Sequence, residues 1–315
     1  MLLNRRGFVG SLFASGIGET FKASGADGMV EFKELQKVSY LSGGGKVWCF
    51  ASRIDSISLS TLFVSPAGKT LMIDGGHYPD GPFLGHFLRS IGGRIDYWVL
   101  THAHEDHMGA IQTMFADRKG NPGVEIGELI FKFPPRKWME DTETGRKKHN
   151  DRFFGEFLGS YDAKLPRGTC AVGRKVDLGG GWNFEILNDP LMIANNSVNN
   201  SSICLTVEAG GKRWLVTGDL GIQGGNNLIA KIGLQRMGHD VVFMAHHGQC
   251  GVDRNFYAAV KPEVAIWPTP SWLWDNKLGN GTVGSGSWQT NYVKCWMQEL
   301  GVKRNYLLTR DHVFV

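Results

Sequence analysis

Cysteine is scarce in this chain, five in 315 residues. Cys49, Cys170, Cys204, Cys250 and Cys295 are scattered, odd in number and without a Cys-x-x-Cys spacing. That excludes a disulfide framework or a cysteine-ligated metal site as the organising device, and the thiols read instead as small buried apolar groups. Charge is sparse too, at 20 % of residues, and nearly balanced, with a formal net charge of +4. So small a surplus does not by itself indicate nucleic-acid binding, although it suits an anionic substrate. Beyond the amino terminus no stretch approaches the ~20 apolar residues that cross a bilayer, so no transmembrane segment is expected in the mature chain. No internal repeat is visible.

What is present at the amino terminus is Arg5-Arg6 followed by a short apolar run diluted with Gly and Ser. It resembles a twin-arginine export signal over residues 1–28, with a cleavage point after Gly25 or Ala26, which implies a periplasmic or extracellular protein; a cytoplasmic chain with a frayed amino terminus is the alternative. Residues 29–315, at 42 % hydrophobic content for the whole chain, are long enough for one large core and are expected to form a single domain.

The organising stretch is Tyr97-Trp-Val-Leu-Thr-His-Ala-His-Glu-Asp-His-Met-Gly109. Tyr97 to Leu100 carry no charge and suit a short strand buried on both faces. His102 and His104 are two apart, so in extended chain they point to one side, while Asp106 and His107 come from the following turn. Met108, Ile111, Met114 and Phe115 then recur at helical spacing, so the polar cluster lies between the end of a strand and the start of a helix. A lone histidine there would be an ordinary hydrogen-bonded core residue. Three imidazoles and a carboxylate within six positions gain little from burial unless a cation organises them.

At these residues, with Val216-Thr-Gly-Asp219 and Ala245-His-His-Gly248 following in that order, the chain resembles the metallo-β-lactamase superfamily, whose hallmark is His-x-His-x-Asp-His. Within it the three motifs are most similar to the ComEC-type, competence-like hydrolase group, and the resemblance spans about residues 40 to 315. It implies an α/β fold, the αβ/βα four-layer sandwich, and two divalent ions, zinc first with manganese or iron as alternatives. On that resemblance His102 and His104 bind the first ion, Asp106 and His107 the second, Asp219 bridges them, and Asp74 supports the ligand loop without touching metal. Adjacent side chains on extended chain point opposite ways, so one residue of the pair His246 and His247 is a direct ligand. We take His246 for that role. His247, with Asp106, is then assigned to catalysis, His247 as a proton donor or leaving-group contact.

The chain departs from the superfamily in one respect that matters. Many members supply another histidine to the first ion between the hallmark and the bridging Asp, and here only His149 falls in that interval. It sits in a charged, helix-like stretch; Asp189, after a strand, is the possible substitute. Gln249 and His312 also depart from the subgroup, which typically has a small hydroxyl residue and a glycine there. The resemblance implies a metal-dependent hydrolase in which a metal-activated water attacks a phosphodiester or related phosphate ester, a small-molecule or anionic substrate with nucleic acid as one candidate. A β-lactamase, thioesterase or other acyl hydrolase is the alternative on the same fold. A di-iron redox or purely metal-binding protein is the alternative of another class.

The rest of the chain supplies strands. Ser58 to Val64 and Thr70 to Ile73 read as a hairpin around Pro66-Ala-Gly68, and several later apolar runs end in polar, ligand-competent residues. Residues 136–165 read as an amphipathic surface helix with a basic face. The run Asn195 to Ser202 reads as a polar turn. Trp267 to Trp274, with Gly279 to Gly286, reads as a flexible aromatic loop, either packing of an irregular crossover or a candidate for substrate contact.

Overall fold

The computed structural model describes residues 30–117, 123–143, 157, 165–249 and 251–315. The proposed export signal, His149 and most of the 136–165 stretch lie outside the described residues. Two seven-stranded sheets form the frame. The first holds β1 Gln36–Val38, β2 Lys46–Cys49, β3 Ser60–Val64, β4 Thr70–Asp74, β5 Arg94–Val99 and β6 Glu125–Ile130. The second holds β7 Lys175–Gly179, β8 Trp182–Ile186, β9 Leu205–Ala209, β10 Lys212–Val216, β11 Val241–Phe243, β12 Val264–Trp267 and β13 Arg304–Leu307. The last strand, β14 His312–Phe314, returns to the first sheet between β1 and β2. It pairs in parallel with β1 and antiparallel with β2, and the buried Asp311 before it accepts from the Lys33 and Ala51 amides.

Alternation along these strands sorts side chains into three apolar layers. Leu71 and Ile73 of β4, with Phe63 and Val99, face Phe184, Leu205, Trp214 and Phe243 of the second sheet, and this is the layer between the sheets. Met72, Leu62 and Trp98 point the other way, onto Leu84, Phe87 and Leu88 of α1 (Gly81–Ser90) and Met108, Ile111 and Met114 of α2 (Glu105–Asp117). On the far side Leu215, Val242 and Ala265 pack on α5 (Ile222–Ile232), α6 (Arg254–Val260) and α8 (Thr290–Glu299) through Leu228, Phe256 and Met297. The result is the four-layer αβ/βα sandwich anticipated above. Each fully buried residue of this kind stabilises by about 1.5–3 kcal/mol relative to exposure, and Trp98 and Trp214 are among those with no exposed surface.

The predicted hairpin is present, with Ser60 opposite Asp74 and Val64 opposite Thr70 around a turn closed by the Gly68 amide on the Ser65 carbonyl. One reading needs revising, and one choice between alternatives is decided. The Asn-rich run is not an exposed turn: Ser197–Asn200 forms a short helix, α4, and all four of its residues are buried. The aromatic run after β12 is partly core, since Trp267 is fully buried and packs edge-on against Trp274, in the short helix α7 (Ser271–Trp274), at 5.1 Å. Earlier in the chain, between α2 and α4, α3 spans Arg136–Thr142.

Candidate metal centre

Four strands deliver polar residues to one edge of the sandwich. Asp74 ends β4, Thr101 to His107 follow β5, Gly218 and Asp219 follow β10, and His246 and His247 follow β11. The loops are stitched together by backbone: Gly75 donates to the His107 carbonyl at 2.7 Å, Leu59 to that of Asp106 at 3.2 Å, and His246 to that of Gly218 at 3.2 Å. Gly218 has φ +52, and a Cβ there would lie 2.8 Å from Ser202 Oγ and 2.9 Å from Thr101 Oγ1. Only glycine lets the chain turn Asp219 inward at this point. Gly109 is needed for a different reason, because a Cβ would come within 2.5 Å of the Tyr78 amide nitrogen where α2 crosses the β4 loop.

The side chains form two donor sets that share one residue. His102, His104 and Asp219 have ligand atoms within 4.8 Å of one another, and so do Asp106, His107, Asp219 and His247; all are buried. Asp219 reaches both ways, with Oδ1 3.1 Å from His107 Nε2 and Oδ2 3.3 Å from His247 Nε2 and 3.7 Å from His102 Nε2.

The hydrogen-bond network fixes which nitrogen of each imidazole is free. Asp74 accepts from the Thr101 amide at 2.7 Å and hydroxyl at 2.8 Å, and its Oδ2 lies 2.7 Å from His107 Nδ1, which therefore carries the proton. Having given its proton to Asp74, the Thr101 hydroxyl accepts from His102 Nδ1 at 3.1 Å. His247 Nδ1 donates to the Pro268 carbonyl at 2.9 Å. In each case Nε2 is left facing the donor sets. His107 Nε2 and His247 Nε2 are fully buried and lack a hydrogen bond of acceptable geometry, although Asp106 Oδ2 is 2.9 Å from the latter. Buried, pre-oriented and unbonded nitrogens beside two carboxylates are what a divalent cation would satisfy. The residues fit the metal.

The charges agree with this. Burial, helped by the neighbouring His107, holds the His102 imidazole well below its ordinary pKa, in the neutral form that offers a lone pair. Burial acts the same way on His107 and His247, but is outweighed there by carboxylates. Asp219, Asp74 and Asp106 hold His107 well above its usual range, and Asp219 and Asp106 push His247 up to about 9. Asp219 resists the upward pull of burial because the imidazoles of His247, His107, His102 and His246 surround it, which keeps its carboxyl well below the usual carboxylate range. Without metal, His107 and His247 hold protons that the cations would displace.

His246 and His247 stand differently from the expectation. The chain does not stay extended after β11: His246 and His247 have φ +49 and +56, two successive left-handed residues. That coil turns His247 into the second donor set and leaves His246 at its margin, its side chain 17 % exposed and its Nε2 3.8 Å from Asp219 Oδ2 and 3.4 Å from Asn199 Nδ2. Alternation of side chains holds only for extended backbone, so it could not order this pair. Asp189 is not brought to either set; it is half exposed and pairs with Lys132 at 2.6 Å.

Two contributors were not singled out from the sequence. Residues 196–203 touch the ligand loops throughout: Ser202 Oγ accepts from the Asp219 amide at 3.1 Å, the Ile203 amide donates to the Thr101 carbonyl at 2.9 Å, and Asn200 Oδ1 caps α5 by accepting from Gly221 and Gly224. Polar composition signals only a turn; burial of that polarity against a site has no sequence signature. The other is Glu143, whose Oε2 lies 3.0 Å from His104 Nε2.

Known proteins similar to this chain include one curated relative and several solved structures. ComE operon protein 3 of Bacillus subtilis (strain 168) is 26 % identical over 174 residues, which cover 55 % of this chain and 20 % of that protein. This chain therefore corresponds to about a fifth of that relative's length. A variant of the CmlA beta-hydroxylase superposes with a TM-score of 0.50 at 14 % identity, covering 87 % of this chain and 54 % of that one. The metallo-beta-lactamase fold protein YhfI from Bacillus subtilis superposes with a TM-score of 0.49 at 11 % identity, over 84 % of this chain and 96 % of that one. The sequence profile of the Metallo-beta-lactamase superfamily matches residues 53–268. With the two-sheet sandwich and the motifs at its edge, that match establishes that the chain belongs to the metallo-beta-lactamase superfamily of metal-dependent hydrolases.

Proposed function

We propose that this chain is a binuclear hydrolase of phosphodiesters or related phosphate esters. His102, His104 and Asp219 would hold one divalent ion, and Asp106, His107, His247 and Asp219 would hold the other. The observation that carries the two-ion reading is Asp219, the one residue common to both donor sets: Oδ1 faces His107 and Oδ2 faces His247 of the second set, and Oδ2 also lies 3.7 Å from His102 Nε2 of the first. All-nitrogen-and-oxygen ligation suits zinc first, and equally admits manganese or iron.

Bound there, the ions supply Lewis acidity and lower the pKa of a water to near neutrality. The chain's own residues do the rest. Asp219, common to both donor sets, would offset positive charge between them. Asp74 and the Pro268 carbonyl hold His107 and His247 with Nε2 lone pairs inward. His246, at the margin and partly exposed, takes the role first assigned to His247: it faces an incoming substrate and delivers a proton to the leaving group. The left-handed backbone at both histidines is strain of the kind that surrounding structure maintains at working sites.

The phosphate-ester class is supported by the resemblance of the Thr217-Gly-Asp219 and His246-His-Gly248 motifs to the competence-like hydrolase group, and by the 26 % identity to ComE operon protein 3. Purified protein should be analysed for metals and assayed on bis-p-nitrophenyl phosphate, nitrocefin and a thioester. Turnover of the phosphodiester alone supports the proposal. Turnover of nitrocefin or the thioester without it assigns the acyl-hydrolase alternative.

A further inference from the structure

The second donor set has a visible brace behind each of its histidines, Asp74 behind His107 and the Pro268 carbonyl behind His247. The first set is smaller, three donors among the described residues, so the orientation of each matters more. His102 is braced by Thr101. Behind His104 stands Glu143, just past the end of α3 and far from the hallmark in sequence.

The geometry is two-sided. Glu143 Oε2 lies 3.0 Å from His104 Nε2, while His104 Nδ1 lies 3.1 Å from His102 Nε2. A carboxylate only accepts, so Nε2 carries the proton and the lone pair is on Nδ1, turned toward His102 and the first set. The other carboxylate oxygen accepts from the Val198 amide at 3.3 Å and faces Ser197 Oγ at 3.4 Å. Glu143 is thus held by the buried helix α4 while it holds His104, and its side chain is only 19 % exposed. His102, His104, His107 and His247 each use one nitrogen for a brace and turn the other inward, and of these four only His104 turns Nδ1 inward.

We propose that Glu143 is the positioning residue of the first metal site: it locks His104 in the Nε2-protonated tautomer and aims Nδ1 at the ion. Glu143 does for His104 what Asp74 does for His107, from an element outside the three motifs. The inference rests on the two-ion reading. Outer partners of this kind typically change metal affinity by about 10- to 100-fold.

The test is a competition titration of metal-free protein with zinc against a chromophoric chelator, comparing wild type, Glu143→Ala and Glu143→Gln. Wild type should take up two equivalents. Glu143→Ala should bind one ion about 10- to 100-fold more weakly and the other unchanged. Glu143→Gln should recover most of the loss, because its amide oxygen can still accept from His104 Nε2–H. A residue needed only for folding would weaken both ions together, with Gln no better than Ala, and that result overturns the proposal, as does wild-type affinity for both ions in Glu143→Ala. Wild type binding fewer than two ions overturns the two-ion reading itself, and this inference with it.

Discussion

His246 and His247 are adjacent and chemically identical, yet the left-handed turn makes them separable by experiment. His247→Ala removes a fully buried donor whose other nitrogen is tied to Pro268. It should lose an ion and bring turnover down with it, as measured by metal content and phosphodiesterase assay. His246→Ala removes a side chain at the margin, and should keep both ions while slowing turnover by about 100-fold or more, the range for a positioned proton donor. Equal metal loss in both variants would contradict the assignment. At this scale the sequence was legible wherever residue type alone sufficed. His102, His104, Asp106, His107 and Asp219 all converge, and Asp74 stands behind His107 as the resemblance implied. It was not legible where the backbone decides, at the left-handed pair, or where a partner comes from far along the chain, as Glu143 does for His104.

Among the elements, the buried segment 197–203 ties ligand loops together, although none of its residues belongs to a donor set. Its polar side chains satisfy backbone amides that the sharp turns after β10 leave without helical partners, Asn200 for Gly221 and Gly224 and Ser202 for Asp219. Asn200→Ala should therefore destabilise the fold by about 1–3 kcal/mol, the penalty for leaving buried donors unpaired, readable as a lower urea midpoint. Zinc affinity should change far less than in Glu143→Ala. A midpoint equal to wild type would mean that water replaces the amide. Strands were easier to anticipate than this segment. Alternating or wholly apolar runs such as Ser60–Val64 and Trp182–Ile186 announce themselves by periodicity. Two features escaped that signal: β14 is only three residues long and pairs with the other end of the chain, and α4 is polar yet buried.

The whole molecule is two sheets packed through one apolar layer, with its polar centre at an edge, and its stability should depend on pH in opposite senses with and without metal. In metal-free protein His107 and His247 have folded-state pKa values above the ordinary 6.5, His247 at about 9. A raised histidine contributes stability that is fully present below 6.5 and lost as pH rises through the folded value. The melting temperature of metal-free protein should therefore fall between about pH 6.5 and 9. Over the same window zinc affinity should rise, because the protons that oppose it leave. A metal-free melting temperature that climbs over this range would contradict the charge balance described for the centre. Asp219 joins the two halves of that centre. Two dications at close range repel strongly, so the account stands or falls on this carboxylate. The most direct measurement is metal content and phosphodiester turnover of Asp219→Asn beside wild type. The account predicts two ions per wild-type chain, loss of at least one in the variant, and turnover lower by at least ~100-fold; a variant that keeps two ions and near-native turnover would contradict it.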